Sequence, residues 1–250
     1  MDSRVALITG AAKGVGAAIS RKLAGQGYQI LINYGKSAQE AEKLASELSG
    51  STKAACFQAD VGDPGQVDRL FDFCRNEFGK LDVLVNNASY SSSVGWNNTA
   101  DQINWEEWEK TIRVDLKGTM LCSHAAFRIM EQQKSGKIVN FSSSAAIWGD
   151  VPTYLYTAAK FAIVGITRTL SRAFAPHVQV NCVAPGSIAT EWIIKWNLTP
   201  SDIQAIANES PLKRIGTPEE VAELVAFLAS PQCTFITGQT VAIDGGILLL

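Results

Sequence analysis

Arg4-Val-Ala-Leu-Ile8, followed at once by Thr9-Gly-Ala-Ala-Lys-Gly-Val-Gly16, decides the architecture. The first stretch is a short apolar run of strand length and the second a glycine-rich turn. The residues beyond place Val15, Ala18, Ile19 and Leu23 on one face of a helix. Strand, glycine turn and helix in that order form a phosphate cradle. Gly10 permits the tight turn, Gly14 and Gly16 let backbone approach a pyrophosphate, and the helix start presents unsatisfied N–H groups with partial positive charge. A glycine-rich string alone can equally be a helix-capping loop; the strand before it and the helix after it favour the nucleotide reading.

Strand-like and helix-like segments alternate from Val5 to Ile243 without a linker or charge run. The chain therefore reads as a single α/β domain over 1–250, a Rossmann-type doubly wound parallel sheet with helices on both faces. Helices are expected over 38–48, 66–78, 105–132 and 218–228, and strands over 29–33, 53–59, 81–86, 136–141, 178–182 and 240–243. Two irregular segments, 89–104 and 187–211, follow strand ends on the cofactor side and are expected to shape a substrate pocket.

The second strand ends where the adenosine ribose of a dinucleotide lies. A carboxylate there binds a free 2′-hydroxyl, and a basic residue accommodates a 2′-phosphate. This chain has Asn33-Tyr-Gly-Lys-Ser37 and no carboxylate, with Lys13 inside the glycine turn. Lys13, Lys36 and Ser37 thus point to NADP(H), against the plain reading of the two lysines as solvated loop charges.

Further along, Gly136-Lys-Ile-Val-Asn-Phe141 reads as a buried strand that delivers Ser142, Ser143 and Ser144 to the carboxyl edge of the sheet. Tyr156-Thr-Ala-Ala-Lys160 comes next. Positions i and i+4 share a helix face, so a phenol and an ammonium converge on one small molecule. A free phenol titrates near ~10, and lowering it by about three units needs roughly 4 kcal/mol. One unit charge at about 4 Å and an effective dielectric of ~20 supplies that amount. A lone Tyr-x-x-x-Lys is usually an amphipathic packing pair with a snorkelling amine; the serines and the glycine turn argue for acid–base chemistry instead.

Composition narrows the rest. Net charge is −2 and hydrophobic content 46%, which argues against a nucleic-acid surface and allows a large core. No run reaches the ~18–20 apolar residues of a membrane span and no signal-peptide core is present, so a cytoplasmic location is expected. The cysteines, Cys56, Cys74, Cys122, Cys182 and Cys233, lack metal-ligand spacing and are expected as free thiols; His124 and His177 match no zinc or triad pattern, so no metal is expected. Trp96, Trp148, Trp192 and Trp196 fall near the two irregular segments and the serine strand, favouring an apolar or aromatic substrate, although tryptophan also packs lids and interfaces.

These motifs resemble the classical short-chain dehydrogenase/reductase family over essentially the whole chain, and are similar to those of β-ketoacyl-carrier-protein reductases and related secondary-alcohol dehydrogenases. Thr9, Gly10, Gly14 and Gly16 fit the family's cofactor motif, Asp60 with Val61 its adenine-binding position, and Asn86-Asn87-Ala88 its Asn-Asn-Ala-Gly turn. The resemblance implies Ser143 as catalytic serine, Tyr156 as acid/base and Lys160 as tuner and nicotinamide-ribose ligand. It also implies contacts to the nicotinamide carboxamide from the Pro185-Gly186-x-Ile188-x-Thr190 motif. The implied activity is NADP(H)-dependent reduction of a ketone or aldehyde; an alcohol dehydrogenase working oxidatively and a non-catalytic NADP(H)-binding regulator are the alternatives. Surplus apolar residues on the helices, including Met120, Leu121, Ala125, Phe127, Phe161, Val164 and Ile166, and the tail Gly246–Leu250 lead to the expectation of a homotetramer, or failing that a dimer.

Two positions depart from the family pattern. Ser89 stands where the turn has glycine, so its backbone must tolerate a Cβ or relax. Asp115 stands where a catalytic asparagine is expected, a residue thought to act through its main-chain carbonyl in a proton relay. Asp115 is read either as a solvated or salt-bridged helix residue or as a carboxylate coupled to that relay.

Overall fold

The computed structural model describes residues 3–90, 103–150, 153–191 and 197–248. Its centre is a seven-stranded parallel sheet in the order β3-β2-β1-β4-β5-β6-β7, formed by β1 (Val5–Ile8), β2 (Gln29–Tyr34), β3 (Ala54–Gln58), β4 (Val83–Asn86), β5 (Gly136–Phe141), β6 (Val178–Pro185) and β7 (Thr240–Ile243). Parallel strands need crossovers, and the helices that supply them cover both faces, so the strands are apolar on both sides. In β1, Ala6 and Ile8 pack with α1 (Gly14–Gly25), α2 (Ala38–Leu48) and α9 (Pro218–Ala229), while Val5 and Leu7 face α3 (Pro64–Phe78), α5 (Gly118–Gln133) and α7 (Tyr154–Ala173). That two-sided burial is why β1 shows no alternation.

The expected 105–132 helix is interrupted. It consists of α4 (Trp105–Thr111), a π-helical turn over Ile112–Lys117, and α5; the Gly118 amide donates to the Arg113 carbonyl, five residues back. Two helices fall where none was expected, α6 (Ser144–Trp148) and α8 (Pro200–Glu209). The second corrects the reading of 187–211 as wholly irregular. Thr199 and Asp202 form a capping box with Pro200 in the first turn, a helix-start signal concealed by the polar composition around it. Residues 91–102 of the other irregular segment lie outside the described residues.

Most of the surplus apolar side chains are absorbed by this chain itself. Ala125 and Val164 are buried, Leu121, Phe127 and Ile166 pack on the core, and the Phe127 ring stacks on Phe174 with centroids 4.0 Å apart. Met120 and Phe161 stay exposed. Among the described residues no helix is long and apolar enough to cross a membrane. The five cysteines are free thiols, all buried except Cys56.

β1 and β4 are neighbours and their carboxyl ends are joined side by side. The Thr9 hydroxyl receives the amides of Asn87 and Ala88 at 3.1 and 3.0 Å, and the Asn87 side-chain amide donates to the carbonyls of Thr9 and Gly10, each at 3.0 Å. Asn33, at the end of β2, continues the clamp by donating to the Ala59 carbonyl at 3.0 Å. Gly10 has φ +61°, and a Cβ there would lie 2.8 Å from Ala88 Cα; one on Gly16 would lie 2.6 Å from the Gly10 carbonyl oxygen. Gly16→Ala is therefore expected to lower stability by about 1–3 kcal/mol through overpacking against backbone. Gly25→Ala, where a Cβ meets nothing within 4 Å, should be neutral or stabilising. Urea unfolding of the two variants checks the contrast; equal midpoints would remove the close-approach argument.

Candidate active site

The site lies along the carboxyl ends of β1, β4, β5 and β6, where a doubly wound sheet leaves its crevice. At the β1 end, the N-cap residue Lys13 makes no side-chain capping bond to the first turn of α1. The starts of α3, α8 and α9 are capped by Asp63, Thr199 and Thr217. Open N–H groups, helix-dipole charge and glycines too close to their neighbours for side chains together suit a pyrophosphate. Thr190 reaches this turn from beyond β6: a Cβ on Gly14 would lie 3.4 Å from its methyl carbon. Val15 is partly buried beside it.

Around the expected ribose and adenine positions, Lys36 is exposed and Ser37 is the N-cap residue of α2. Lys13 pairs with Glu40 at 2.7 Å. Their hydrogen bond raises the lysine and lowers the carboxyl from their ordinary values. Both side chains are well exposed, so water screens the pair and leaves the ammonium available to another anion. Asp60 receives the Gly62 amide at 2.9 Å and pairs with Arg113; Val61 beside it is buried. Pro185 closes β6, the Gly186 amide donates to the Ile243 carbonyl at 3.0 Å, and Ile188 bridges to Gly216.

At the β5 end the three serines separate into different roles. Ser142 is buried and donates to the Lys160 carbonyl at 2.8 Å, Ser144 is buried in α6, and Ser143 remains partly open. Ser143 hydrogen-bonds the Tyr156 phenol, favouring its ionised form. Lys160 sits one turn further along α7 with its ammonium 5.4 Å from the Tyr156 ring centroid. It is 3% exposed and donates to the Phe141 carbonyl at 3.3 Å.

Asp115 faces Lys160 from the π-helical turn. Its Oδ1 lies 3.5 Å from the ammonium, and it is fully buried, so Asp115 is a salt-bridged residue and not a solvated one. Ser89 Oγ donates to Oδ2 at 3.1 Å and the Tyr90 amide reaches the carboxylate at 3.2 Å. Ser89 is not among the residues with positive φ, so the position needs no glycine and the Cβ is accommodated. The Asp115 carbonyl accepts the Thr119 hydroxyl at 2.6 Å.

Burial pushes the Tyr156 phenol above its ordinary range and Asp115 adds to this, against the opposing pull of Lys160 and Ser143. The phenol is not lowered, because burial first and the Asp115 carboxylate second outweigh the Lys160 ammonium. Burial works against the Lys160 ammonium, yet Asp115 leaves it above the ordinary lysine value. Burial likewise raises Asp115, opposed first by Lys160.

Sequence reasoning missed Tyr90 and Thr119. Tyr90 also donates its hydroxyl to Glu107 at 3.0 Å; neither residue carries a local signal, since their partners are distant in sequence or depend on the π turn. Trp148, in α6, is 50% exposed. Trp96, Trp192 and Trp196 lie outside the described residues. Among the described residues no group of three or more His, Cys, Asp or Glu could hold a metal.

Residues 10–248 match the family model described as Enoyl-(Acyl carrier protein) reductase. A 3-oxoacyl-[acyl-carrier-protein] reductase of Synechocystis sp. is 36% identical over 252 residues, covering 100% of this chain and 98% of the relative. Among solved structures, ElxO with NADP bound superposes with a TM-score of 0.88 at 31% identity, covering 98% of each chain. YwfH, an NADPH-dependent reductase involved in bacilysin biosynthesis, does so with 0.91 at 28% identity, again covering 98% of each. Matched along nearly its full length in sequence and in sheet architecture, this chain belongs to the short-chain dehydrogenase/reductase family of oxidoreductases.

Proposed function

We propose that the protein is an NADP(H)-dependent carbonyl reductase that converts a ketone or aldehyde of a small apolar or aromatic molecule to an alcohol. The observation that carries this reading is the convergence of Ser143, Tyr156 and Lys160 from β5 and α7 beside an uncapped glycine turn. NADPH, when bound, supplies the hydride. The amides of Gly14, Val15 and Gly16 are assigned to its pyrophosphate, Lys13, Lys36 and Ser37 to the 2′-phosphate end, and Asp60 and Val61 to the adenine. Asn87, Ala88 and Lys160 are assigned to the ribose side, and Pro185, Gly186, Ile188 and Thr190 to the carboxamide.

Ser143 then orients the substrate oxygen by a hydrogen bond, and the Tyr156 hydroxyl gives that oxygen a proton as alkoxide charge develops. The Lys160 ammonium stabilises the phenolate that remains. The matched family description concerns an enoyl group, whereas the Synechocystis relative is named as a 3-oxoacyl reductase. A hydroxyl pair aimed at one oxygen favours a carbonyl over a carbon–carbon double bond. Trp148 supports an apolar substrate, together with Trp96, Trp192 and Trp196 by their sequence positions. We place the protein in the cytoplasm and propose a homotetramer, or a dimer, with exposed Met120 on α5 and Phe161 on α7 at the interface.

A panel of ketones, aldehydes, diketones and β-keto esters with NADPH tests the activity; cofactor binding without turnover on any would favour a non-catalytic regulator. NADPH is expected to exceed NADH at least tenfold in kcat/KM, with Lys36→Ala or Lys13→Ala eroding the preference, and a wild-type protein that prefers NADH would overturn the cofactor assignment. Tyr156→Phe should bind NADPH normally by fluorescence titration and lose nearly all turnover; retained turnover removes Tyr156 as proton donor. Light scattering at micromolar concentration should report an assembly larger than the monomer, and a fully active monomer would refute it.

A further inference from the structure

Asp115 is surrounded by donors. Lys160 Nζ approaches one carboxylate oxygen, Ser89 Oγ donates to the other, and the Tyr90 amide points at both. The Lys160 ammonium and the Tyr90 amide can only donate, and together with the Ser89 hydroxyl they oppose the effect of burial and favour the ionised carboxylate. The two departures from the family pattern thus form a unit: the Ser89 hydroxyl, at a position where glycine would supply none, holds the carboxylate that replaces an amide. Removing that negative charge would leave the Tyr156 phenol beside a buried, unbalanced Lys160 ammonium.

We propose that Asp115, clamped by Ser89 and the Tyr90 amide, is a positioning residue that balances the Lys160 ammonium and keeps the proton on the Tyr156 hydroxyl, extending proton donation into the alkaline range. This rests on Tyr156 being the proton donor of the reaction proposed above. The groups facing the phenol and the ammonium are few. Ser143 comes from the end of β5, Asp115 from the π-helical turn, and Cys182 from β6, its thiol pushed up to about 11 by burial and therefore neutral. Glu107 and Lys110 of α4 reach the site through the Tyr90 hydroxyl. Of these, Asp115 is the acidic group acting directly on both Tyr156 and Lys160.

The direction follows. Proton donation requires the neutral phenol, so reductive kcat/KM is full at low pH and falls as pH rises through the Tyr156 pKa. Taking away the Asp115 charge favours phenolate, so the falling limb moves to lower pH, by about one unit or more for a unit charge within several ångströms. Ser89→Ala removes one arm of the clamp that holds the carboxylate toward Lys160, so the carboxylate can turn away and the limb should move in the same direction by less.

The test combines two readouts on the full-length protein. Alkaline titration by ultraviolet difference absorbance, with Tyr156→Phe as the baseline, reports the Tyr156 phenolate without needing turnover. The pH profile of NADPH-dependent kcat/KM reports it in catalysis. Expected are an acidward shift of both in Asp115→Asn and a smaller shift of the same sign in Ser89→Ala, with unchanged circular dichroism. Superimposable titrations for wild type and Ser89→Ala together with Asp115→Asn, or a shift to higher pH, would overturn the proposal. If Asp115→Asn does not fold, the Ser89→Ala titration decides alone. A wild-type protein that reduces no carbonyl would count against the reductase reading, while the absorbance titration would still decide the role of Asp115.

Discussion

The junction between the turn after β1 and the turn after β4 is the constraint on which the site depends. Two backbones approach there so closely that Gly10 and Gly16 have no room for a Cβ, and the Thr9 hydroxyl and Asn87 side chain bond across the gap. Because β1 and β4 are adjacent in a parallel sheet, this contact sets the phosphate cradle and the entrance to the Ser89–Tyr90 segment in one rigid frame. The same Asn-Asn-Ala turn leads directly into the clamp on Asp115. The glycine turn and the Asp115–Lys160 pair are therefore coupled through backbone, at the edge where the strands end.

A second constraint is the burial of charge. An ammonium as deep as that of Lys160 is costly unless paired and hydrogen-bonded. Asp115, the Phe141 carbonyl and the π-helical turn that brings Asp115 into reach supply that compensation. Gly118, at the start of α5, allows the helix to approach Val61, since a Cβ would stand 2.7 Å from the valine side chain. A π turn widens a helix locally and re-aims its side chains. Here it interrupts what would otherwise be one helix from Trp105 to Gln133 and turns a carboxylate toward Lys160.

Beneath the site, a buried polar chain ties the elements together. Asn86 donates to Ser123 and to Asn140, and Asn140 donates to Thr167, linking β4, β5, α5 and α7. Such fully satisfied networks hold the two sides of a site in register. They fit the two-face core, in which α5 and α7 pack on the same side of the sheet as α3.

What the sequence determined by itself was local and periodic: the strand, glycine turn and helix at the N-terminus, the Tyr156–Lys160 spacing on one helix face, the strand that ends just before the three serines, and the alternation that makes the sheet parallel. Each is written within one or two turns of chain, where hydrophobic pattern, glycine freedom and helix geometry suffice. Tertiary structure decided what depends on residues far apart in the chain. It separated Ser143 from its buried neighbours Ser142 and Ser144, gave Ser89 a backbone that needs no glycine, and brought Ser89, Tyr90, Asp115 and Lys160 together. It also decided the protonation balance of Tyr156, because that balance is set by burial and by a carboxylate 41 residues away in sequence, and neither can be read from the spacing of a phenol and an ammonium on one helix.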